Sequence, residues 1–206
     1  MRIALFFLAL STGILYAGDT NAPLRNMEVT TIGSSPLQTF NIEQHALSPD
    51  EVLQIWLVSS KNPKERSLLY AHSRSVEVIV SEDEHYLVIN DRGGSDFANV
   101  LLFRKQRGLA YKQIEDLTDK AWKFMAARSG HKKPPALDHS YAEVLRWTDS
   151  HTILLSLHGH LDRRNFVKNW LCLYDITSKT FSTDLDSHNK KHTTLEGESD
   201  VEKGKK

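Results

Sequence analysis

Among its 206 residues the chain has a single cysteine, Cys172, so no disulfide can close within one copy. The residue sits in WLCLYD, an apolar strand-like run. There a thiol acts as a small buried hydrophobe, whereas a nucleophile needs a basic, partly exposed setting. Excess charge of either sign is also lacking, since 26 Lys and Arg balance 26 Asp and Glu. A chain so balanced has no electrostatic basis for gripping nucleic acid or anionic lipid. Beyond Tyr16 no apolar run approaches the roughly 20 residues that span a bilayer as a helix, and no stable membrane anchor is expected. Two motifs of catalysis are missing as well. There is no G-x-S-x-G nucleophile elbow, and Gly93-Gly94-Ser95 is followed by neither the lysine nor the helix of a phosphate-binding loop, so it reads as a turn.

The opening MRIALFFLALSTGILYAGD has Arg2 before an apolar stretch from Ile3 to Tyr16, with small Ala17 after it. This pattern predicts a signal peptide over residues 1–17. Export without disulfides fits a bacterial periplasm or secretion from a bacterium better than a small secreted eukaryotic domain. Residues 184–206 have almost no large apolar side chains and are expected to form a disordered polar tail. Between them, residues 18–183 suit a single domain with its own core.

Strand signals dominate that domain: LQIWLVS (53–59), SLLYAH (67–72), VEVIV (76–80), HYLVIN (85–90), NVLLF (99–103), EVLRW (143–147), TILLSL (152–157) and NWLCLYD (169–175). Each is apolar and bounded by polar or Gly-containing breaks, which predicts a mainly antiparallel β protein. EVIVSEDEHYLVIN (77–90) aligns without a gap on EVLRWTDSHTILLS (143–156), pairing Glu77 with Glu143, Asp83 with Asp149 and His85 with His151. Asp83 and Asp149 suit tight turns, where a short carboxylate bonds nearby N–H groups. A fainter third copy starts at Ser48-Pro49-Asp50-Glu51. The blade-like units are expected at about 48–112 and 139–183. In LTDKAWKFMAARSGH, Thr118 as cap, a Leu117/Trp122 staple and Gly130 as stop predict one helix near 119–128, with Trp122, Met125 and Ala126 as its buried stripe.

An S-x-D turn, an apolar strand, then an apolar strand ending in LYD or LFR resembles the blade of a β-propeller of the Trp-Asp or Tol type. That resemblance, over 48–183, implies two or three blade-like units in a partial propeller or sandwich. A homodimer that closes a ring is one arrangement such units allow. The wider pattern of WLVSS, GSDFANVLLF, DKAWKF, DHSY and WLCLYD also resembles short exported bacterial proteins of unassigned function.

The run SLHGHLDRRN (156–165) places His158, His160 and Asp162 at alternate positions, which one face of an extended chain could present together. H-x-H-x-D resembles the start of the metallo-β-lactamase signature, but Arg163 stands where that family has a further histidine. The aligned segment in the first copy, NDRGGSDFAN, contains Asp91, Arg92 and Asp96 and no histidine, so a polar connection between strands accounts for both. Asp138-His139-Ser140-Tyr141 reads as the start of a strand. The resulting expectation is a non-enzymatic binding or interaction module without metal, cofactor or catalytic residue. Asp91, Arg92 and Asp96 on one loop, with His158, His160, Asp162 and Arg163 on the other, would contact an unidentified protein or small ligand of the cell envelope. The alternative is a metal-dependent hydrolase that uses His158, His160 and Asp162.

Overall fold

A computed structural model describes residues 28–46, 52–182 and 185, together with the backbone of Thr193 and Thr194. The expected signal peptide, the Ser48–Glu51 segment of the fainter third copy and most of the expected polar tail lie outside the described residues. What is described is mainly β, with two antiparallel-rich sheets and one short helix.

Strands β1 (Glu28–Ser34), β2 (Phe40–Ala46), β3 (Leu53–Ser59) and β4 (Arg66–His72) form one antiparallel meander. A second meander comprises β5 (Ser75–Val80), β6 (Tyr86–Arg92), β7 (Phe97–Arg107) and β8 (Ala110–Asp116). After helix α1 (Thr118–Arg128), β9 (His139–Trp147), β10 (Thr152–His160), β11 (Phe166–Asp175) and β12 (Thr180–Ser182) form a third, and β13 (Thr193–Thr194) pairs with β11. The segment 48–112 therefore draws strands from two different sheets, because β3 and β4 pair with β1 and β2.

The first two meanders open with the same hairpin chemistry. The Ser35 N–H donates to the Phe40 carbonyl and the Ser81 N–H to that of Tyr86, both at 2.9 Å. Each serine hydroxyl accepts the N–H of the residue five further on, at 3.1 Å from Phe40 and 3.0 Å from Tyr86. The fourth residue of each turn, Gln38 and Glu84, takes a left-handed conformation with φ of 56° and 57°. In the second turn Asp83 also accepts the His85 N–H at 3.1 Å.

Strands β6 and β7 of the middle meander are apolar on both faces, as strands buried on both sides should be. Leu87, Ile89, Leu101 and Phe103 pack with Phe40, Ile42, Ile55 and Leu57 of the first sheet. Val88, Val100 and Leu102 point the opposite way, to a second core with α1 and the third meander, which includes Trp122, Met125, Val144, Leu155, Trp170 and Cys172. Period-two alternation along β6 and β7 divides their side chains between these two cores.

The second and third meanders join where the start of β7 lies parallel to β9, through Phe97 with Ser140 and Ala98 with Tyr141. From Leu101 onward β8 takes over the same edge. At the switch, the Val100 N–H donates to Thr118 Oγ1 at 3.0 Å and its carbonyl accepts the Leu117 N–H at 2.9 Å. The start of α1 thus supplies the pairing that neither strand provides. This corrects the expected cap: the Thr118 hydroxyl serves Val100, Leu117 occupies the N-cap position without a side-chain bond, and Asp116 accepts the Thr118 N–H at 2.9 Å. The helix ends at Arg128, and Gly130 just beyond it is the expected stop: its φ of 81° lets His131 return an N–H to the Ala126 carbonyl at 2.8 Å. No helix among the described residues is long and apolar enough to cross a membrane.

Candidate ligand-binding surface

The β7–β9 junction brings part of each sequence-predicted group to one place: Arg92 and Asp96 from the first, His158 and His160 from the second. His139, Tyr141 and Glu143 alternate along β9 and share a face. The antiparallel register sets His160 opposite His139 and His158 opposite Tyr141. The His139 and His160 rings stack with centroids 4.5 Å apart and planes 4° apart, and those of Tyr141 and His158 lie 6.0 Å apart.

Residues 92–96 close the other side of this strip. Arg92 Nε donates to Glu143 Oε1 at 2.8 Å, and the ion pair holds the Arg92 guanidinium above its usual range. The Tyr141 hydroxyl donates to the Ser95 carbonyl at 2.6 Å, while the Ser140 N–H donates to the Asp96 carbonyl at 2.8 Å. Asp96 Oδ1 lies 3.3 Å from His139 Nε2 and accepts the Ser95 hydroxyl at 2.9 Å. Arg92, Asp96, His158 and His160 are all exposed. Partial burial of its ring pushes the His158 pKa below the usual value; the neighbouring charges of His160 and Lys168 act in the same direction, and Glu143 opposes them.

Gly159 makes the strip possible. A Cβ at this position would lie 2.5 Å from the His139 carbonyl oxygen and 2.7 Å from Leu137 Cδ1. Only glycine lets β10 and the start of β9 approach so closely with a histidine on each side.

Three predicted residues lie elsewhere. Asp162 belongs to the β10–β11 hairpin turn, where Oδ1 accepts the Arg164 and Asn165 N–H groups at 2.6 and 2.8 Å and Oδ2 accepts Asn165 Nδ2 at 3.0 Å. These bonds, the Arg164 N–H first, depress its pKa and occupy the carboxylate in the turn. Arg163 is exposed in that turn. The alternating spacing of His158, His160 and Asp162 thus ends at the turn, and no group of three or more His, Cys, Asp or Glu among the described residues is placed to hold a metal ion.

Asp91 points to the opposite side of β6 from Arg92. Its Oδ2 accepts the Tyr70 hydroxyl at 2.7 Å, and its Oδ1 is buried without a partner. Beside it His72 is 5% exposed, with neither ring nitrogen hydrogen-bonded. Burial lowers the His72 pKa, against the opposing charge of Asp91.

His139, Tyr141 and Glu143 complete the strip, although the sequence marks them only as a strand start. Their alternation H-x-Y-x-E and the H-G-H run opposite it are the signals that link them. A comparison with models of known protein families finds no match, and a comparison with curated proteins finds no relative.

Proposed function

We propose that the chain is an exported, non-enzymatic binding module that holds a protein or small ligand of the cell envelope on the strip formed by Arg92, Asp96, His139, Tyr141, Glu143, His158 and His160. One observation carries this reading: chain segments near 92–96, 139–143 and 158–160 meet on a single exposed face backed by paired strands. The strip combines a cation, two carboxylates, a phenol and three imidazoles, and so offers donors, acceptors and planar surfaces on a fixed support. Blade-like organisation is supported by the succession of three four-stranded meanders. Export rests on residues 1–17 of the sequence.

The test is an affinity capture from envelope extract with the tagged chain lacking residues 1–17, compared with an Arg92→Ala, His158→Ala double variant. Saturable capture of one species by the parent and its loss from the folded variant are expected. Equal capture by both, or no saturable capture, would remove the reading.

A further inference from the structure

We infer that β5 is a self-association edge, at which two copies of the chain pair strand to strand, antiparallel and centred on Val78. The inference does not rest on the ligand-binding reading above.

β5 closes one end of its sheet, and among the described residues it pairs only with β6. That pairing runs without a register shift from Ser75 opposite Arg92 to Val80 opposite Leu87, and the Ser81 N–H donates to the Tyr86 carbonyl where the hairpin closes. Bonded and non-bonded pairs alternate along an antiparallel ladder, so Ile79, Glu77 and Ser75 turn their backbone groups to β6 as Ser81 does. Those of Val76, Val78 and Val80 point outward. Trp147 Nε1 donates to the Ile79 carbonyl at 3.2 Å, which belongs to the inner row.

The sequence of this edge favours pairing. Sheet edges are normally blunted by Lys, Pro, a bulge or short length. Here β1, β4 and β8 carry register shifts, and β12 has only 3 residues. β5, SVEVIV, has none of these devices. Its one charged residue, Glu77, accepts Asn90 Nδ2 at 3.0 Å. Beside the strand runs a cleft of about 470 Å3 whose lining includes Ile32, Pro36, Ile42, Val76, Val78 and Val80.

A second copy of β5 fits this edge. Antiparallel pairing about Val78 sets Val78 opposite Val78, Val76 opposite Val80 and Glu77 opposite Ile79, so every outward backbone group of one row meets its complement in the other. The same register carries the exposed Arg74 of each copy to the exposed Glu82 at the far end of the other, an opposite-charge contact repeated by the twofold axis. A slip to the next permitted register leaves a valine of each row unmatched, and in one direction sets Glu77 against Glu77, which is unfavourable for like charges directly opposite. The valine side chains of both copies, which pack partly buried against the core between the first two meanders, then form one apolar row along the joined clefts.

The experiment is sedimentation equilibrium of the full chain across a range of concentrations, with the parent, Val78→Pro, Arg74→Glu, Glu82→Arg and the Arg74→Glu, Glu82→Arg double variant. The parent is expected to reach twice the 23.5 kDa of one chain. Proline removes an outward N–H and leaves the ladder to β6 intact, so Val78→Pro should be a monomer. Either single charge reversal should weaken the dimer on the order of tenfold by bringing like charges together, and the double variant should restore it. Circular dichroism checks folding. If Val78→Pro does not fold, the charge exchange decides, because Arg74 and Glu82 are exposed. A parent that stays monomeric at every concentration would overturn the self-pairing and leave the edge to an extended segment of another protein. A dimer unchanged in every variant would overturn it as well, since the copies would then meet elsewhere.

Discussion

Asn90 bonds both backbone groups of Val144, a residue 54 positions away: its Oδ1 accepts the Val144 N–H at 2.8 Å and its Nδ2 donates to the Val144 carbonyl at 2.9 Å. The carboxamide acts as a substitute peptide unit that ties β6 to β9 beyond the short parallel junction of β7 with β9. Nδ2 also donates to Glu77 Oε2 at 3.0 Å, and Asn90 is 1% exposed.

Replacing Asn90 with leucine, of similar size, would orphan the Val144 N–H and carbonyl in the interior. Each orphaned group costs roughly 1–3 kcal/mol, so Asn90→Leu should destabilise by about 2–6 kcal/mol. Urea unfolding of the two proteins side by side measures this, and a difference within error would show that the bonds contribute nothing net.

Glu84 makes the corresponding link between the first two meanders. Its carboxylate accepts the Thr39 hydroxyl and the Leu37 N–H, and lies 3.6 Å from Lys105 Nζ. Burial pushes its pKa up, but hydrogen bonds from Ser35 and Thr39 together with the Lys105 charge outweigh burial and hold it below the usual 4.5. A carboxyl depressed on folding adds stability that is fully present above the unfolded value and is lost as pH falls through the folded one. The parent should therefore lose stability below about pH 4.5. Glu84→Gln should be less stable at pH 7 and decline less steeply in acid. Parallel curves of stability against pH for the two proteins would contradict the assignment.

Gly159→Ala forces a methyl group against the His139 carbonyl. Overpacking of this kind costs about 1–3 kcal/mol, and the strands must separate to relieve it. The unfolding midpoint should drop, and NMR shifts of His139 and His160 should move together. An unchanged midpoint would show that the approach of β9 to β10 is softer than described.

Burial pushes the Cys172 thiol up to about 12. At pH 8 a disulfide reagent such as Ellman's should leave the folded protein untouched and titrate the thiol fully in urea, because the thiolate is the reacting species. Rapid reaction of the native protein would mean that the core around Cys172 opens readily.

The apolar strands β3 to β7 and β9 to β11 were legible because runs such as LQIWLVS and TILLSL pack into cores. The first two strands were not, since EVTTIGS is exposed along almost its whole length and FNIEQHA mixes charge with apolar residues. Their signal lay in the turn between them: S-x-x-Q-x-F at 35–40 has the spacing of S-x-x-E-x-Y at 81–86, with serine and the left-handed fourth residue in the same roles. Half of the candidate surface was visible as polar loops. The rest depended on the β7–β9 pairing, which joins residues by strand order and leaves no local pattern. Asp162 falls outside the strip because alternation continues on paper through a turn where the chain no longer alternates, and Asp91 because neighbours on a strand face opposite sides.

The two-sided burial of β6 and β7 has a consequence for how the molecule comes apart. Neither outer layer can leave without exposing a full row of large apolar side chains on the central one, so partial opening costs nearly as much as complete unfolding. Amide protons of Val88, Ile89, Leu101 and Leu102 should exchange with solvent only through the global transition. The described residues should therefore unfold as one cooperative unit, in contrast to arrays whose repeats peel away one by one.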